Sequence, residues 1–284
     1  MGKIVVPQTV NHLEGIIFRE GILKRSFHID GTERHFSYYV PANLKKDAKI
    51  IFLAHGSYCN GDIMRKATAY SFEEAAETEN MIVVYPDSFG PYWNDGRLGR
   101  VHIARETGVD EEKFFRRIIH YMSSVYRASN KDIFFGGFSN GGALGFRLSQ
   151  TDLFKGIALW CINLPSEDNR EYEVGGEVPT IIINNTEDRM VPFGGGDLIG
   201  SDGKSRGRFD STYESFLKVS KADALPEPSM EAGYKRYLLN KNILLEIYKG
   251  GHVIPHPNTS WPAGLGSGST VDSVKIILDY FRGL

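Results

Sequence analysis

The amino-acid sequence predicts an α/β fold with a mostly parallel central sheet, helices on both faces of the sheet and an antiparallel hairpin near the N-terminus. Three observations support this prediction: short segments that are continuously apolar, longer segments with one apolar stripe, and the alternation of the two from residue 50 to the C-terminus. Strands covered on both faces are continuously apolar, whereas strands with one face in water alternate. Alternating strands and helices favour parallel strands joined by right-handed crossovers.

The hairpin is predicted within residues 21–41, where alternating apolar positions flank the dipeptide Asp30-Gly31. Asp-Gly is a preferred two-residue connection, because both of its residues accept the left-handed backbone of a tight hairpin turn. Each short apolar segment after residue 41 is predicted to be a buried strand. These segments are residues 50–54, 81–85, 133–135, 157–160, 180–183 and 243–248.

Two helices are predicted from apolar stripes that a sheet would cover. Residues 110–127 place six apolar side chains at helical spacing, and residues 270–281 place five there. Ser269 stands three residues before Asp272, a spacing typical of a capped helix N-terminus, and predicts that the last helix begins there. Two segments rich in Gly, Pro, Ser and charge are expected to leave the sheet and to form walls of a site: residues 194–208 and 221–233.

Composition limits the possible classes of function. Of the 284 residues, 41% are hydrophobic and 24% are charged, so we expect one packed domain spanning residues 1–284, with residues 1–20 as a lead-in. Lys and Arg number 33 against 35 Asp and Glu, so no net field attracts a polyanion and no nucleic-acid partner is expected. No apolar run approaches the roughly 20 residues that cross a bilayer, so no membrane partner is expected, and the oligomeric state stays open.

The cysteine content indicates a reducing compartment. Cys59 and Cys161 are the only cysteines, too few for a disulfide framework. Proteins of oxidising compartments commonly contain disulfides, whereas cytosolic proteins keep their thiols reduced. Residues 1–10 also lack the long apolar core of a secretory signal. We therefore expect a cytoplasmic location.

Residues 137–141 have the sequence Gly-Phe-Ser-Asn-Gly, a G-x-S-x-G match between a predicted strand and the helix-compatible residues 143–150. In that context the central residue, Ser139, lies on a sharp turn, and glycine two residues to either side avoids a collision. The following helix points its positive end at the serine. The alternative is a glycine-rich phosphate loop, but G-x-G-x-x-G and the P-loop lysine are both missing. Ser139 is therefore the predicted nucleophile.

A serine hydroxyl is a weak nucleophile, so it needs a nearby base and an acid that orients this base. In this arrangement the acid and then the histidine follow the serine along the chain. Asp188 follows the predicted strand at residues 180–183. This strand is expected to end at the same edge of the sheet as the strand before Ser139. Glu187 is the competing acid and Asp197 a remoter one.

Of the eight histidines, only His252 and His256 follow the predicted nucleophile. His252 is favoured as the base, because Gly250-Gly251 before it lets the loop approach closely. A metal site formed by the two histidines, four residues apart, would require a helix, which the prolines at 255 and 257 disfavour. We therefore expect no metal.

Acyl transfer also needs hydrogen-bond donors for the oxyanion that forms. One is expected to be the backbone N–H of Asn140, the residue after the nucleophile. The second is expected from the turn after the strand at residues 50–54, with the N–H of Ser57 favoured and that of Tyr58 next. His55 is expected to pack beneath this turn.

Six segments form a combination that is more specific than any one of them: residues 55–56 (His-Gly), 85–87 (Tyr-Pro-Asp), 93–94 (Trp-Asn), 137–142 (Gly-Phe-Ser-Asn-Gly-Gly), 188–195 (Asp-Arg-Met-Val-Pro-Phe-Gly-Gly) and 250–252 (Gly-Gly-His). Together they resemble the polyhydroxybutyrate depolymerase and feruloyl esterase-like group of the α/β-hydrolases. The resemblance implies ester hydrolysis without a cofactor by a triad of Ser139, Asp188 and His252. Many members continue after the histidine with Thr-Trp-Pro-Gly, whereas Val-Ile-Pro-His follows here, so an aromatic wall of the pocket is either missing or supplied by Trp261.

Substrate contacts are predicted for Tyr58, Trp93 and Asn94, although Trp93 is equally compatible with a structural plug. The predicted function is a serine carboxylic ester hydrolase that acts on small-molecule esters with short acyl or hydroxycinnamoyl groups. A peptidase or an acyltransferase with the same triad is the alternative, because an acyl-enzyme does not specify its acceptor. A binding protein on the same fold is a third interpretation.

Overall fold

The computed structural model describes residues 8–9, 21–99, 102–174, 177–199 and 203–284. The predicted lead-in spans residues 1–20, and only residues 8–9 of it are among the described residues. Within the described part, every helix is too short or too polar to span a bilayer.

The strands are β1 (Gln8–Thr9), β2 (Ile22–Ile29), β3 (Thr32–Tyr39), β4 (Lys49–Ala54), β5 (Met81–Pro86), β6 (Ile133–Phe138), β7 (Gly156–Trp160), β8 (Thr180–Asn185), β9 (Gly196–Ile199), β10 (Ser205–Phe209), β11 (Ser229–Glu231), β12 (Tyr234–Leu239), β13 (Asn242–Ile247) and β14 (Thr259–Ser260). The α-helices are α1 (Gly61–Ala67), α2 (Ser71–Glu79), α3 (Ile103–Glu106), α4 (Glu111–Tyr126), α5 (Asn140–Leu148), α6 (Thr212–Ser220) and α7 (Ser273–Arg282). Each of the six predicted strands and both predicted helices are present, with ends shifted by a few residues.

The central sheet has ten strands in the order β11-β12-β13-β8-β7-β6-β4-β5-β3-β2. The six strands from β13 to β5 are parallel, and the strands at either end of the sheet are antiparallel. The predicted α/β class with a mostly parallel sheet is confirmed. The carboxyl ends of β4, β6, β8 and β13 lie at one edge, where ligands bind in open α/β sheets.

The predicted N-terminal hairpin is also confirmed. Strands β2 and β3 pair in register from Ile22 opposite Tyr39 to Ile29 opposite Thr32, which leaves two residues for the turn. Asp30 and Gly31 have φ of 50° and 79°, the left-handed conformations of a type I′ turn.

The buried apolar side chains form two clusters on the two faces of the sheet. In β4, Ile50 and Phe52 belong to one cluster and Ile51 and Leu53 to the other, because successive side chains of a strand point to opposite faces. Side chains of α4, α5 and α6 complete the first cluster, and those of α1, α2 and α7 complete the second. Double coverage explains why the central strands are apolar throughout.

The start of the last helix differs from the prediction. Helix α7 begins at Ser273, and its N-cap is Asp272, whose carboxylate accepts from the backbone N–H of Lys275 at 2.9 Å. The Ser269 hydroxyl instead accepts from the N–H of Val271 in the preceding turn. The cap is the residue directly before the first helical residue, a position that sequence spacing alone did not identify.

The two segments predicted to leave the sheet behave differently. In residues 194–208, strand β9 and the first residues of β10 form a separate two-stranded sheet, so this segment does leave the central sheet. Residues 221–233 return to the central sheet, because β11 pairs with β12 at its edge. The prediction for the second segment was therefore wrong for its last residues.

Candidate active site

Ser139 lies on the sharp turn between β6 and α5, with φ 55° and ψ −115°. A Cβ on Gly137 would be 2.3 Å from the carbonyl oxygen of Gly141, so the turn is tight enough to require glycine. This contact explains the spacing of glycine around the serine. The strained backbone holds a partly exposed Ser139 side chain above the edge of the sheet.

Ser139, His252 and Asp188 form one hydrogen-bonded row. The Ser139 hydroxyl is 2.8 Å from His252 Nε2, and Nδ1 of the same ring is 2.8 Å from Asp188 Oδ2. A carboxylate only accepts, so Nδ1 carries the proton and the Nε2 lone pair faces the hydroxyl. His252 and Asp188 are each 5% exposed, whereas the competing acids Glu187 and Asp197 are in solvent. The structure thus brings together the three residues predicted for the triad.

The backbone of its own loop fixes the Asp188 carboxylate. Asp188 Oδ1 accepts from the N–H groups of Met190 and Val191 at 2.8 and 2.9 Å, and Oδ2 is left for the histidine. Bonds of this kind close a turn around an aspartate that follows a strand. The carboxylate is therefore oriented before the histidine binds to it.

Asn185, the last residue of β8, fixes the histidine loop and was missed from the sequence. Its fully buried amide donates to the carbonyl oxygens of Gly251 and Val253 at 2.7 and 2.8 Å, on either side of His252. The backbone N–H of His252 donates to Leu265, 2.6 Å away. The sequence did contain one indication of this role: a polar asparagine directly after an apolar strand that ends at the edge of the sheet where the triad lies.

Phe138 and Trp261 form an aromatic neighbourhood for the base. The Phe138 ring centroid is 5.0 Å from that of His252 and 5.6 Å from that of Trp261. Trp261 lies in the loop after His252, and it packs against Phe138, which in turn packs against the His252 ring. The role of Trp261 as an aromatic wall of the pocket stays a prediction.

Asn140 and the turn that carries Ser57 both adjoin Ser139. Asn140 is the first residue of α5, where backbone N–H groups lack an acceptor within the helix. A Cβ on Gly56 would be 3.3 Å from Ser139 Cβ, so the turn after β4 is adjacent to the nucleophile. The N–H of Tyr58 donates to Pro91 at 2.8 Å, whereas that of Ser57 has no acceptor among the described residues. This difference favours Ser57, whose role stays a prediction.

The substrate-binding predictions for Trp93 and Asn94 are corrected by their burial. Trp93 has no exposed surface, and its ring packs against His55, with centroids 5.1 Å apart. The Asn94 amide donates to the carbonyl of Val109 at 3.0 Å within the core. Trp93 is thus the structural plug. Tyr58, which is 45% exposed, stays a candidate for substrate contact.

His55 lies beneath the turn that it begins, as expected. The N–H of Ser88 donates to its Nε2 at 3.1 Å, so the ring proton is on Nδ1 and donates to the Gly56 carbonyl at 2.8 Å. Burial lowers the pKa of His55 below its usual value of 6.5. The ring is therefore a neutral support for the turn.

His256 does not join His252 in a metal site. Its Nδ1 accepts from the N–H of Asn258 at 3.1 Å, and its Nε2 is 3.1 Å from the Ser71 hydroxyl. Burial lowers the pKa of His256 more than the Asp272 carboxylate, 3.8 Å from Nε2, raises it. Both nitrogens of the ring have partners other than a metal.

One group of potential metal ligands occurs among the described residues: Cys161, Asp188 and His252 have donor atoms within 4.8 Å of one another. The Cys161 thiol donates to the carbonyl of Val253, and the other two residues bond to each other. Burial, and then the nearby Asp188 carboxylate, raise the pKa of the thiol well above 9. Because metals bind the thiolate, this group fits a hydrogen-bonded triad better than a metal site.

Two open surface cavities have volumes of about 430 and 590 Å³. The first is lined by residues that include Lys24, His35 and Asp62, and the second by residues that include Asp168 and Arg208. Ser139 lines neither cavity. The chemistry of the side chains, rather than cavity size, locates the candidate site.

Comparison with known proteins rests on structure. No protein-family model matches the chain, and no curated protein matches its sequence. An acetyl xylan esterase from Aspergillus awamori is similar with a TM-score of 0.64 and 14% identity, over 92% of this chain and 99% of that chain. A thermostable esterase has a TM-score of 0.55 and 14% identity, over 82% of this chain and 56% of that chain.

A third similar structure is LpqC, a poly(3-hydroxybutyrate) depolymerase from Bordetella parapertussis, with a TM-score of 0.50 and 15% identity. The match covers 71% of this chain and 78% of that chain. This structure is named as a poly(3-hydroxybutyrate) depolymerase, the kind of enzyme that the sequence motifs resemble. Because the sequence identities are low, these likenesses establish architecture and leave activity to the chemistry of the site. The chain has the α/β-hydrolase fold.

Proposed function

We propose that this protein is a serine carboxylic ester hydrolase that acts through an acyl-enzyme on small or soluble esters. The hydrogen-bonded row of Ser139, His252 and Asp188 at the carboxyl edge of the sheet is the observation that supports this proposal. A hydroxyl, an imidazole and a carboxylate in this order perform acyl transfer on several unrelated folds. One domain spanning residues 1–284 would provide all of these groups, without a cofactor.

In the proposed reaction, Ser139 Oγ attacks the ester carbonyl while its proton passes to His252 Nε2. Asp188 keeps the other ring proton on Nδ1 and stabilises the imidazolium that forms. The carbonyl oxygen becomes an oxyanion that accepts from the backbone N–H groups of Asn140 and Ser57. His252 gives its proton to the leaving alcohol and then activates a water molecule, which hydrolyses the acyl-enzyme.

Short acyl groups are the first substrates that we propose, and hydroxycinnamoyl groups the second. The acetyl xylan esterase that spans 92% of this chain bears a name that supports acetyl esters. Tyr58 offers exposed aromatic surface one residue after Ser57, where an aromatic or sugar ring of a substrate would stack.

The cytoplasm is the proposed location. Cys59 and Cys161 are both free thiols. Free thiols without a disulfide are typical of proteins in a reducing compartment.

The proposal is tested with purified protein, p-nitrophenyl acetate and p-nitrophenyl butyrate, followed by a series of longer acyl chains and methyl hydroxycinnamates. We expect turnover of the short esters, and covalent labelling by a fluorophosphonate at Ser139, located by mass spectrometry. Folded protein that is neither labelled nor active would contradict the proposal. Turnover of amides without esters would indicate a peptidase, and acyl transfer to an added alcohol in preference to water would indicate an acyltransferase.

A further inference from the structure

We infer that the buried Trp93 is a positioning residue that holds the two oxyanion-donor segments at a fixed separation. This inference rests on the proposed function and adds to it a residue that touches neither substrate nor triad. The donor segments are the turn at residues 55–57 and the start of α5 at Asn140. Trp93 is hydrogen-bonded to both segments through two different N–H groups.

The first bond connects Trp93 to the turn after β4. Its indole Nε1–H donates to the carbonyl oxygen of His55 at 2.8 Å. This carbonyl lies two residues before Ser57, and the His55 ring packs against the same indole. The tryptophan therefore restrains both the backbone and the side chain at the base of the turn.

The second bond connects Trp93 to the residue after the nucleophile. Its backbone N–H donates to Asn140 Oδ1 at 2.8 Å, and the Asn140 amide nitrogen donates to Asp95 Oδ2. A backbone N–H can only donate and a carboxylate can only accept, so the orientation of the Asn140 amide is determined. Asp95 is paired in turn with Arg97, with nitrogen and oxygen 2.6 Å apart.

A third set of contacts keeps the tryptophan segment itself in place. The backbone N–H of Asn94 donates to the buried carboxylate of Glu111 at 2.9 Å, which also accepts from Arg34 at 2.7 Å. Arg34 and Glu111 are each about 2% exposed. Breaking a buried pair of this kind is costly, so the segment that carries Trp93 is firmly attached to β3 and α4.

These bonds form a continuous path from one donor segment to the other: His55 carbonyl, Trp93 indole, Trp93 backbone, Asn140 side chain and Asn140 backbone. All three side chains are at most 2% exposed. Oxyanion donors act only at the correct distance from the developing charge, and misplacement by about 1 Å can cost a hundredfold in rate. Substrate affinity does not depend on this distance in the same way, because the charge is absent from the bound ester.

The test removes the indole N–H of Trp93 and keeps its shape, by replacement with 3-benzothienylalanine; Trp93→Phe is the simpler companion. We expect kcat for p-nitrophenyl acetate to fall about tenfold to a hundredfold, with KM changed less than about twofold. The second-order rate of fluorophosphonate labelling at Ser139 should fall by a similar factor, because the phosphoryl oxygen uses the same donors. Affinity for a boronic acid transition-state analogue should also fall.

Trp160 provides a matched control. Its indole is equally buried and donates to the Ser273 hydroxyl at 2.9 Å, but it belongs to the apolar cluster on the opposite face of the sheet. Its backbone carbonyl accepts from the N–H of Ser139 at 2.9 Å, a bond that a change confined to the side chain leaves in place. The same analogue at Trp160 should lower the melting temperature by an amount comparable to that at Trp93 and leave kcat and the labelling rate unchanged.

A double variant of Trp93→Phe with Asn140→Ala separates a shared path from two independent effects. If both residues act along one path, the combined loss in kcat should be smaller than the product of the single losses. A folded Trp93 analogue with wild-type kcat and labelling rate would overturn the inference while the proposed function stands. Equal losses of kcat at Trp93 and Trp160 would also overturn it. Absence of turnover and labelling in the wild-type protein would contradict the proposed function itself, and with it this inference.

Discussion

His252 and His256 lie four residues apart in one loop, and each ring is almost fully buried with a serine hydroxyl within hydrogen-bond distance. The two rings differ in the partner of Nδ1. At His252 this partner is the Asp188 carboxylate, an acceptor, so the proton stays on Nδ1. Nε2 is then left with a lone pair, and the Ser139 hydroxyl donates to it.

At His256 the partner of Nδ1 is a donor, the backbone N–H of Asn258. The ring proton is therefore on Nε2, and it donates to the Ser71 hydroxyl. The direction of the histidine–serine hydrogen bond is reversed, and the Ser71 oxygen gains no base. In this protein the acceptor at Nδ1 therefore distinguishes the histidine that can act as a base towards its serine from the one that cannot.

Replacing the two serines should give the largest contrast between the pairs. We expect Ser139→Ala to lower kcat for p-nitrophenyl acetate by about 10⁶-fold, because it removes the attacking atom. Ser71→Ala should leave kcat within about threefold and cost about 1 kcal/mol of the free energy of unfolding through one lost hydrogen bond. Steady-state rates and urea denaturation of both variants check this expectation. Loss of activity in the Ser71 variant with an intact fold would mean that the second pair contributes to the chemistry.

Asp188→Asn should make His252 resemble His256. The amide places a donor against Nδ1, which favours the tautomer with the proton on Nε2, so Ser139 loses its base. We expect kcat to fall by about 10⁴-fold with little change in stability, since the amide and the carboxylate have the same shape. Measurement of kcat against pH tests the effect, and the fluorophosphonate labelling rate at Ser139 should fall with it, because labelling uses the same base. Near-normal kcat would contradict the assignment of Asp188 as the orienting acid.

Gly251→Ala should move His252 away from Ser139 and Asp188 while all three side chains of the triad stay unaltered. A Cβ at Gly251 would be 2.0 Å from the carbonyl oxygen of Leu265, which also accepts from the His252 N–H. The loop must shift, and we expect kcat to fall by about a hundredfold because the base moves away from Ser139. Gly264→Ala is the matched control, since a Cβ there meets no atom within 4 Å. Wild-type kcat in the Gly251 variant would show that the loop tolerates the displacement.

The comparison also shows what the sequence alone could predict. Continuous apolarity located the central strands, and the glycine spacing around Ser139 located the nucleophile, because both are local patterns with a direct physical cause. The order of acid and histidine after the serine reduced eight histidines to His252 and His256, and the glycine pair before His252 favoured it. Strand β12 and the short helices α1, α2 and α6 were not predicted, because their apolar patterns are weaker than those of the central strands.

The parts of the site that were not predicted depend on contacts between distant residues. Asn185 acts on Gly251, 66 positions further along the chain, and nothing next to the asparagine indicates which carbonyl it will meet. The residues next to Trp93 in the sequence do not indicate whether its side chain faces a substrate or the core. Its burial follows from the turn at residues 55–57 and from α5, both of which must be in place before the indole has a partner.

The smallest expected effect concerns the pH dependence of stability and uses His256 as a neutral buried group. Burial lowers the pKa of His256 and of His55 in the folded state, whereas the unfolded chain has the ordinary value of 6.5. The unfolded state therefore binds more protons below about pH 6.5, so the free energy of unfolding falls as the pH is lowered through this window and is constant above it with respect to these groups. Each histidine contributes up to about 1.4 kcal/mol per pH unit.

His256→Gln keeps a donor near Ser71 and cannot be protonated, so it should reduce this slope by up to about 1.4 kcal/mol per pH unit between pH 6.5 and 5.5. Urea denaturation at half-unit pH steps measures the slope for the wild type and the variant. Activity at pH 8 should be unchanged, because His256 contacts Ser71 and Asn258 rather than the triad. A variant with the wild-type slope would mean that His256 binds its proton over the same pH range in the folded and unfolded states, and would contradict a pKa lowered by burial.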